Sequence, residues 1–209
     1  METTLYLIRH GLTASNSAGV LQGRRDIPLS EKGLEQARLL GKRFSAVPLD
    51  RLYCSSLSRA RQTAEQIGAA AGLIPEPLEG LNEIDMGQME GLTYEQCRRQ
   101  YPKESEAMER NAAEFAAPGG ESAIQVYDRA VKTLLDLAKR HPGETAAAVS
   151  HGFTIRMFLL YVKNPGRRPV ETEPFWVDNT AVSKLIIRSD GSIAAEYLND
   201  RSHLPPEWR

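Results

Sequence analysis

Two histidines of this chain stand in the same setting. His10 follows the apolar run Leu5-Tyr6-Leu7-Ile8 and Arg9, His151 follows the small apolar stretch Thr145 to Ser150, and a glycine comes directly after each. A short apolar run that stops at polar residues and a glycine is how a buried strand delivers side chains to its carboxyl end, where open α/β sheets carry their function. Arg59 stands at the first turn of a predicted helix, and Glu83 lies near the end of a segment of mixed character. The set is therefore two imidazoles, two guanidiniums and a carboxylate. A helix starting at Gly152 would also aim free N–H groups and its positive end at an anion above the strand. Arg9-His10 alone reads as the first solvated pair after a strand, but two of only four histidines at matching strand ends argue for chemistry. His141, beside Pro142, and His203, in the tail, read as surface residues.

The elements that must hold this set follow from periodicity and caps. Residues 11 to 29, with Gly11, Asn16, Gly19, Gly23, Asp26 and Pro28, read as an ordered loop with one short helical turn, and long loops in compact domains usually carry function. Ser30 is a predicted N-cap for a helix with Leu34, Ala37, Leu40, Gly41 and Phe44 on one face. Arg51 to Ser55 is a second strand, followed by a helix capped by Ser58, faced by Ala60, Thr63, Ala64, Ile67 and Ala71, and closed by Gly72. Leu78 to Ile84 fits a short strand or an extended loop. Thr93-Tyr94-Glu95-Gln96 and Ser122-Ala123-Ile124-Gln125 fit the reciprocal capping pattern and mark two helix starts, the first helix running toward Tyr101-Pro102 and the second toward His141-Pro142-Gly143. Between them lies a polar, Ala- and Glu-rich stretch, and residues 87 to 121 read as a lid-like excursion from the sheet. Thr145 to Ser150 is a third strand and Gly152 to Val162 a helix. Val182 to Ile187 and Ile193 to Tyr197 form a hairpin at a sheet edge.

Composition bounds the rest. The 209 residues, 41% hydrophobic and 25% charged, suit one compact domain over 1–209. With 26 Lys and Arg against 27 Asp and Glu, no basic field covers the molecule, which argues against nucleic acid and anionic membrane as partners. The start Met1-Glu2-Thr3-Thr4 lacks a signal-peptide layout, and the most apolar later stretch is broken by His151 and Arg156, so a cytoplasmic protein is expected. Cys54 and Cys97 are isolated thiols, suited to a reducing compartment. The edge hairpin leaves monomer and homodimer open.

Five blocks carry a family resemblance. Leu7-Ile8-Arg9-His10-Gly11-x-Thr13-x-x-Asn16, Gln22-Gly23-x-x-Asp26-x-Pro28-Leu29-Ser30-x-x-Gly33, Ser55-Ser56-Leu57-x-Arg59-Ala60-x-Gln62-Thr63-Ala64, Gly119-Gly120-Glu121-Ser122 and Val149-Ser150-His151-Gly152 resemble, in the same order, the histidine phosphatase superfamily, also called phosphoglycerate-mutase-like. Asn16, Gln22-Gly23 and the Gly119-Gly120 pair would each read singly as turn or linker residues; the ordered set lifts them. The resemblance implies a three-layer α/β/α sandwich with a mostly parallel central sheet, covalent phosphohistidine chemistry on a small phosphorylated substrate, and no metal or organic cofactor. It makes His10 the nucleophile, Arg9 and Arg59 the bidentate holders of the phosphoryl oxygens, and His151 a donor to an equatorial oxygen. Gly152 N–H, Asn16 and the Gln22-Gly23 corner complete the anion cradle. Glu83, before Gly87-Gln88-Met89-Glu90-Gly91, is the proton donor to the leaving alcohol and later the base for water, with Asp85 its competitor two residues on.

Three function classes remain: a metal-independent phosphomonoesterase, a 2,3-bisphosphoglycerate-dependent mutase, and a non-catalytic phospholigand-binding module. Where mutases of the family resemble Glu-Arg-His-Tyr-Gly after the acid, this chain has Glu83-Ile84-Asp85-Met86-Gly87, which favours the phosphatase branch, the bacterial broad-specificity and α-ribazole-phosphate enzymes. Arg98, Arg99 and Lys103 read as a solvated helix face and Arg61 as a partner of Glu65. A zinc site from His10, His151 and Glu83 is disfavoured because two adjacent arginines would repel the metal.

Overall fold

The computed structural model describes residues 1–166 and 175–209. In chain order it contains β1 (Glu2–Arg9), a short α1 (Ala14–Ser17), α2 (Glu31–Phe44), β2 (Arg51–Cys54), α3 (Ser58–Ala71), the two-residue β3 (Glu76–Pro77), α4 (Tyr94–Gln100), α5 (Pro102–Arg110), α6 (Ala123–Arg140), β4 (Thr145–Ser150), α7 (Gly152–Lys163), β5 (Val182–Arg188) and β6 (Ile193–Asp200). The six strands form one sheet in the order β3-β2-β4-β1-β5-β6. The four from β3 to β1 run parallel, and β5 and β6 are antiparallel additions. This is the mixed α/β sandwich with a mostly parallel sheet that the sequence leads one to expect.

Its central strands are buried on both faces, which is why they read as continuous apolar runs rather than alternating ones. Tyr6 and Ile8 of β1 join Leu40 and Phe44 of α2 and Ala60, Ala64 and Ile67 of α3 on one face. Leu5 and Leu7 join Leu134 and Leu137 of α6 and Ile155, Phe158 and Leu159 of α7 on the other. The alanines of β4 divide likewise: Ala146 and Ala148 belong to the second face and Ala147 to the first. Cys54 and Cys97 are free and buried, and burial pushes the Cys54 thiol up to about 11.

Three local expectations are corrected. The 78–84 segment is neither strand nor plain loop: a tight 3-10 turn at Glu79–Leu81 precedes Glu83. The stretch between the two capped helix starts contains α5, with Pro102 at its first turn, where a missing N–H is harmless. Its Met108, with Phe115, packs in a separate core against Phe153, Met157 and Leu160 of α7, an apolar pairing that the polar composition of 102–117 obscures. Ser58 is not the N-cap of α3: Leu57 holds that position, and Ser58 N–H and Oγ donate to Asp26 at 2.6 and 2.8 Å. Both reciprocal caps, at Thr93 and Ser122, form as the sequence reads.

The loop after β1 is pinned to α2 by contact between two glycine backbones. A Cβ on Gly33 would lie 1.9 Å from the Leu12 carbonyl oxygen, and one on Gly11 would lie 2.7 Å from the Gly33 oxygen. Leu12 O also accepts from Ser30 N–H and Oγ at 2.9 and 3.0 Å, so the start of α2 is built onto the corner after His10. The substitution Gly33→Ala is expected to destabilise the fold by about 1–3 kcal/mol, because only backbone surrounds the added methyl. Urea unfolding should show a lower midpoint at unchanged slope; an unchanged midpoint would contradict this packing.

Candidate active site

The carboxyl ends of β1 and β4 lie side by side because the register pairs Arg9 with Ser150. The next residues, His10 and His151, therefore meet, with ring centroids 5.0 Å apart. A pocket above these ends is lined by Arg9, His10, Asn16, Gln22, Gly23, Arg59, Glu83 and Gly152, which is every sequence-predicted residue except His151. Its remaining walls are largely apolar and include Leu21, Met86, Tyr94, Met108, Phe153 and Trp176, with Arg156 among them.

His10 Nδ1 lies 2.7 Å from the Gly11 carbonyl oxygen. That bond assigns the proton to Nδ1 and leaves the lone pair on Nε2. Burial, and after it Arg59 and Arg9, press the His10 pKa well below its ordinary value. The corner is held by Thr63, whose Oγ1 accepts from Gly11 N–H at 3.0 Å, and by Asn179, whose amide donates to His10 O and Gly11 O at 3.0 and 3.2 Å. Thr180 N–H also donates to His10 O, from a left-handed backbone (φ 55°) that a β-branched residue seldom adopts.

Both arginines are buried against uncharged partners. Arg59 donates Nη1 to Arg25 O, Nη2 to Gly23 O and Nε to His151 Nδ1, at 2.9, 2.8 and 3.2 Å. One N–H on each Nη remains. Burial lowers its pKa to about 10, with Glu83 and Asp26 opposing. Arg9 Nη1 donates to Val177 O at 2.6 Å, while Arg9 Nε is buried without a hydrogen-bond partner among the described residues. Gly152 lies against this guanidinium, where an added Cβ would make van der Waals contact with Nε at 3.4 Å. Gln22 Oε1 accepts from Thr13 Oγ1 at 2.9 Å and Asn16 Oδ1 from Thr13 N–H at 3.2 Å, and it is their amide nitrogens that they have to offer the pocket.

His151 has partners other than the expected phosphoryl oxygen. Fully buried, it accepts from Arg59 at Nδ1, and its Nε2–H donates to Ser55 Oγ at 2.7 Å. Ser55 Oγ passes on to Asn82 Oδ1, also at 2.7 Å. Burial first, and then Arg59, press its pKa well below the ordinary value. The start of α7 also departs from expectation. Its Phe153 and Thr154 N–H groups donate to the Glu83 carboxylate at 3.2 and 3.1 Å, rather than standing free for an anion. Asp85 is turned away: its Oδ1 accepts from Gly87 N–H at 2.8 Å, and Glu83 is the one of the two that lines the pocket.

Ser55, Thr63 and Thr13 stand inside the sequence blocks that match the family, so a signal for them existed. Asn82 and Asn179 had none. His141 and His203 are not surface residues but half-buried: His141 bonds Tyr53 Oη at 2.7 Å, and His203 lies 3.2 Å from Thr180 Oγ1. Arg61 pairs with Glu65, and Arg98 with Glu109, as solvated helix residues do.

A six-stranded α/β sandwich whose parallel strands β1 and β4 lead into paired histidines, with Arg9 beside them and Arg59 on α3, defines the phosphoglycerate-mutase-like class. The sequence from residue 5 to 201 matches the histidine phosphatase superfamily (branch 1), and the chain belongs to that family. Over 203 residues it is 32% identical to phosphoserine phosphatase 1 of Hydrogenobacter thermophilus, covering 96% of this chain and 93% of that one. It is 31% identical to phosphoglycerate mutase-like protein 4 of Arabidopsis thaliana over 204 residues, 96% and 86% of the two chains. In structure it superposes on YhfR of Bacillus stearothermophilus with a TM-score of 0.88 at 32% identity, covering 96% and 98%. Among the described residues no helix is long and apolar enough to cross a membrane.

The buried histidines set the acid side of stability. His10, His151 and His203, the last with a pKa of about 4, all hold a proton less tightly folded than unfolded. The unfolded chain binds more protons below about pH 6.5, so stability is fully present above that pH and is lost as pH falls. Each such histidine contributes a slope of about 1.4 kcal/mol per pH unit in that window. Calorimetry from pH 8 to 5 should show a flat Tm down to about 6.5, then a fall accompanied by proton uptake on unfolding. A Tm that rises on acidification would contradict the burial of these rings.

Proposed function

We propose that the protein is a metal-independent phosphomonoesterase acting on a small phosphorylated metabolite through a covalent phosphohistidine on His10. The observation that carries this reading is the His10 ring, fixed through Nδ1 to Gly11 O with its Nε2 lone pair free, in a pocket shared with two arginines whose charges face no direct carboxylate partner. A neutral imidazole is the nucleophilic form, and the arginines favour it by opposing a further positive charge. Nε2 attacks phosphorus while the alcohol oxygen leaves in line. Arg9 and Arg59 hold the equatorial oxygens, where negative charge persists throughout.

An alkoxide leaves poorly, so the leaving oxygen needs a proton. Glu83 supplies it, and then as carboxylate takes one from the water that attacks phosphohistidine, returning His10 and releasing phosphate. A carboxylate in an anion pocket opposes binding, so a module that only bound phosphate would do better without Glu83; a proton carrier requires it. Against the mutase reading, Asp85 bonds its own turn and Met86 is apolar, so the segment after Glu83 brings no cation to the pocket, whose one cation besides Arg9 and Arg59 among the described residues is Arg156. Tyr94 and Met108 of the 87–121 excursion line the side where the alcohol would lie, which supports its role as a lid.

His10→Ala is expected to abolish turnover of p-nitrophenyl phosphate, and the wild type to form an acid-labile, base-stable phosphoryl adduct on His10. Full activity in the variant would overturn the mechanism. Activity should survive EDTA; loss restored by zinc would revive a metal site. With 3-phosphoglycerate and catalytic 2,3-bisphosphoglycerate, rapid isomerisation with little phosphate release would make the protein a mutase instead.

A further inference from the structure

Glu83 sits in a segment without regular structure, between the 3-10 turn at Glu79–Leu81 and a second one at Gly87–Met89. Its carboxylate is tied to the start of α7, as described. Its backbone needs a separate hold, because the carbonyls of this segment lie outside any strand ladder. Arg129 of α6 supplies most of that hold, beside Thr154 Oγ1, which donates to Asn82 O at 2.8 Å, and Arg24 Nε, which donates to Glu83 O at 3.4 Å. Arg129 Nη1 donates to Gly80 O and Asn82 O at 3.1 and 2.6 Å, and Nη2 donates to Glu83 O at 3.0 Å. The same guanidinium makes a bidentate pair with Glu121: Nε to Oε1 at 3.0 Å and Nη2 to Oε2 at 3.1 Å. All five of its N–H groups are thereby used, and both side chains are more than four-fifths buried. Glu121 also accepts from Asp85 N–H at 2.9 Å, and Arg24 stands 3.3 Å from it on the solvent side.

We infer that Arg129, with Glu121 as its counter-ion, is a positioning residue for Glu83, clamping the 80–83 backbone to α6 so that the carboxylate reaches the oxygen leaving from His10-bound phosphorus. This inference rests on the proposed role of Glu83 as proton carrier. Arg129 itself does not line the pocket. The clamp is a matter of shape as well as charge. A planar guanidinium can span three carbonyls and a carboxylate at once, whereas a lysine ammonium is a compact point charge. The contact is close on the helix side too, since a Cβ on Gly80 would lie 2.0 Å from Thr133 Oγ1 of α6. Losing the clamp therefore loosens the Glu83 backbone, leaving its carbonyl, among the described residues, with only the long 3.4 Å bond from Arg24 Nε, while Arg9, His10 and Arg59 are held by other elements.

A displaced proton donor has a kinetic signature that general damage lacks. p-Nitrophenolate leaves without a proton; benzyl alcohol does not. For Arg129→Lys, kcat/KM on benzyl phosphate should fall on the order of tenfold to a hundredfold, while kcat/KM on p-nitrophenyl phosphate stays within about twofold. Since Glu83 also serves the water step, phosphohistidine should accumulate at steady state with p-nitrophenyl phosphate. Glu121→Gln, which weakens the same clamp, should show the pattern in milder form and stands in if Arg129→Lys does not fold. Glu83→Gln is the reference, with a loss on benzyl phosphate on the order of a hundredfold or more. If Glu83→Gln discriminates between the two esters but the folded clamp variants lose both equally or neither, this inference fails and the proton-carrier reading stands. If Glu83→Gln does not discriminate, the proton-carrier reading fails and takes the inference with it.

Discussion

The site depends on one pairing: β1 and β4 run parallel with Arg9 opposite Ser150. Parallel strands put equivalent ends at the same edge, so two distant apolar runs, each ending in His-Gly, can set two imidazoles side by side. A slip of one residue would exchange the two faces of β1, turning Tyr6 and Ile8 away from α2 and α3 and taking His10 out of line with His151. Both faces are packed with core side chains, so the register is strongly specified, and with it the meeting of His10 and His151. The meeting of the two histidines is thus set by apolar packing on both sheet faces as well as by the polar bonds around them.

The electrostatics follow from what the arginines are bonded to. Surface arginines of this chain pair with carboxylates, as Arg51 does with Glu144 and Arg43 with Asp200. Arg9 and Arg59 instead meet backbone carbonyls and an imidazole. Carbonyl dipoles satisfy the N–H groups without cancelling the charge, which stays available to an incoming anion. Burying two cations this way opposes folding through desolvation, visible in the lowered pKa of both. Burial first, and then the same field, lowers the pKa of the adjoining imidazoles.

Much of this was legible in the residues. The strands ending at Arg9 and Ser150, the caps at Ser30, Thr93 and Ser122, and eight of the pocket residues follow from apolar runs, capping pairs and matched blocks. What escaped the sequence did so for physical reasons. The helix at 102–110 is polar on most faces and buries only a few side chains, so its periodicity is faint. The partners of His151 depend on how α3 and β4 approach in space, and nothing in His-Gly announces that Arg59 will occupy Nδ1. His203 is covered by packing between the tail and the turn at 178–180, a contact across 23 residues of sequence with no local pattern. Glu83 was found by its chemistry, but the hold of α7 on its carboxylate was not, because a helix start fits an external anion and a side-chain carboxylate equally well.

The contact between Gly11 and Gly33 bears on how such a pocket can drift. A side chain at Gly11 would need the Gly33 backbone to give way and one at Gly33 the Leu12 backbone, and both lie on the corner that follows His10. Change at either glycine is therefore coupled to the other and to His10, so single substitutions there find no neutral path. The walls formed by Tyr94, Met108 and Trp176 belong to other segments than the glycine pair. On the proposed reading, a molecule of this design can exchange the wall facing the alcohol more readily than the glycine-locked corner behind His10, so change is steered by geometry to one side of the cavity.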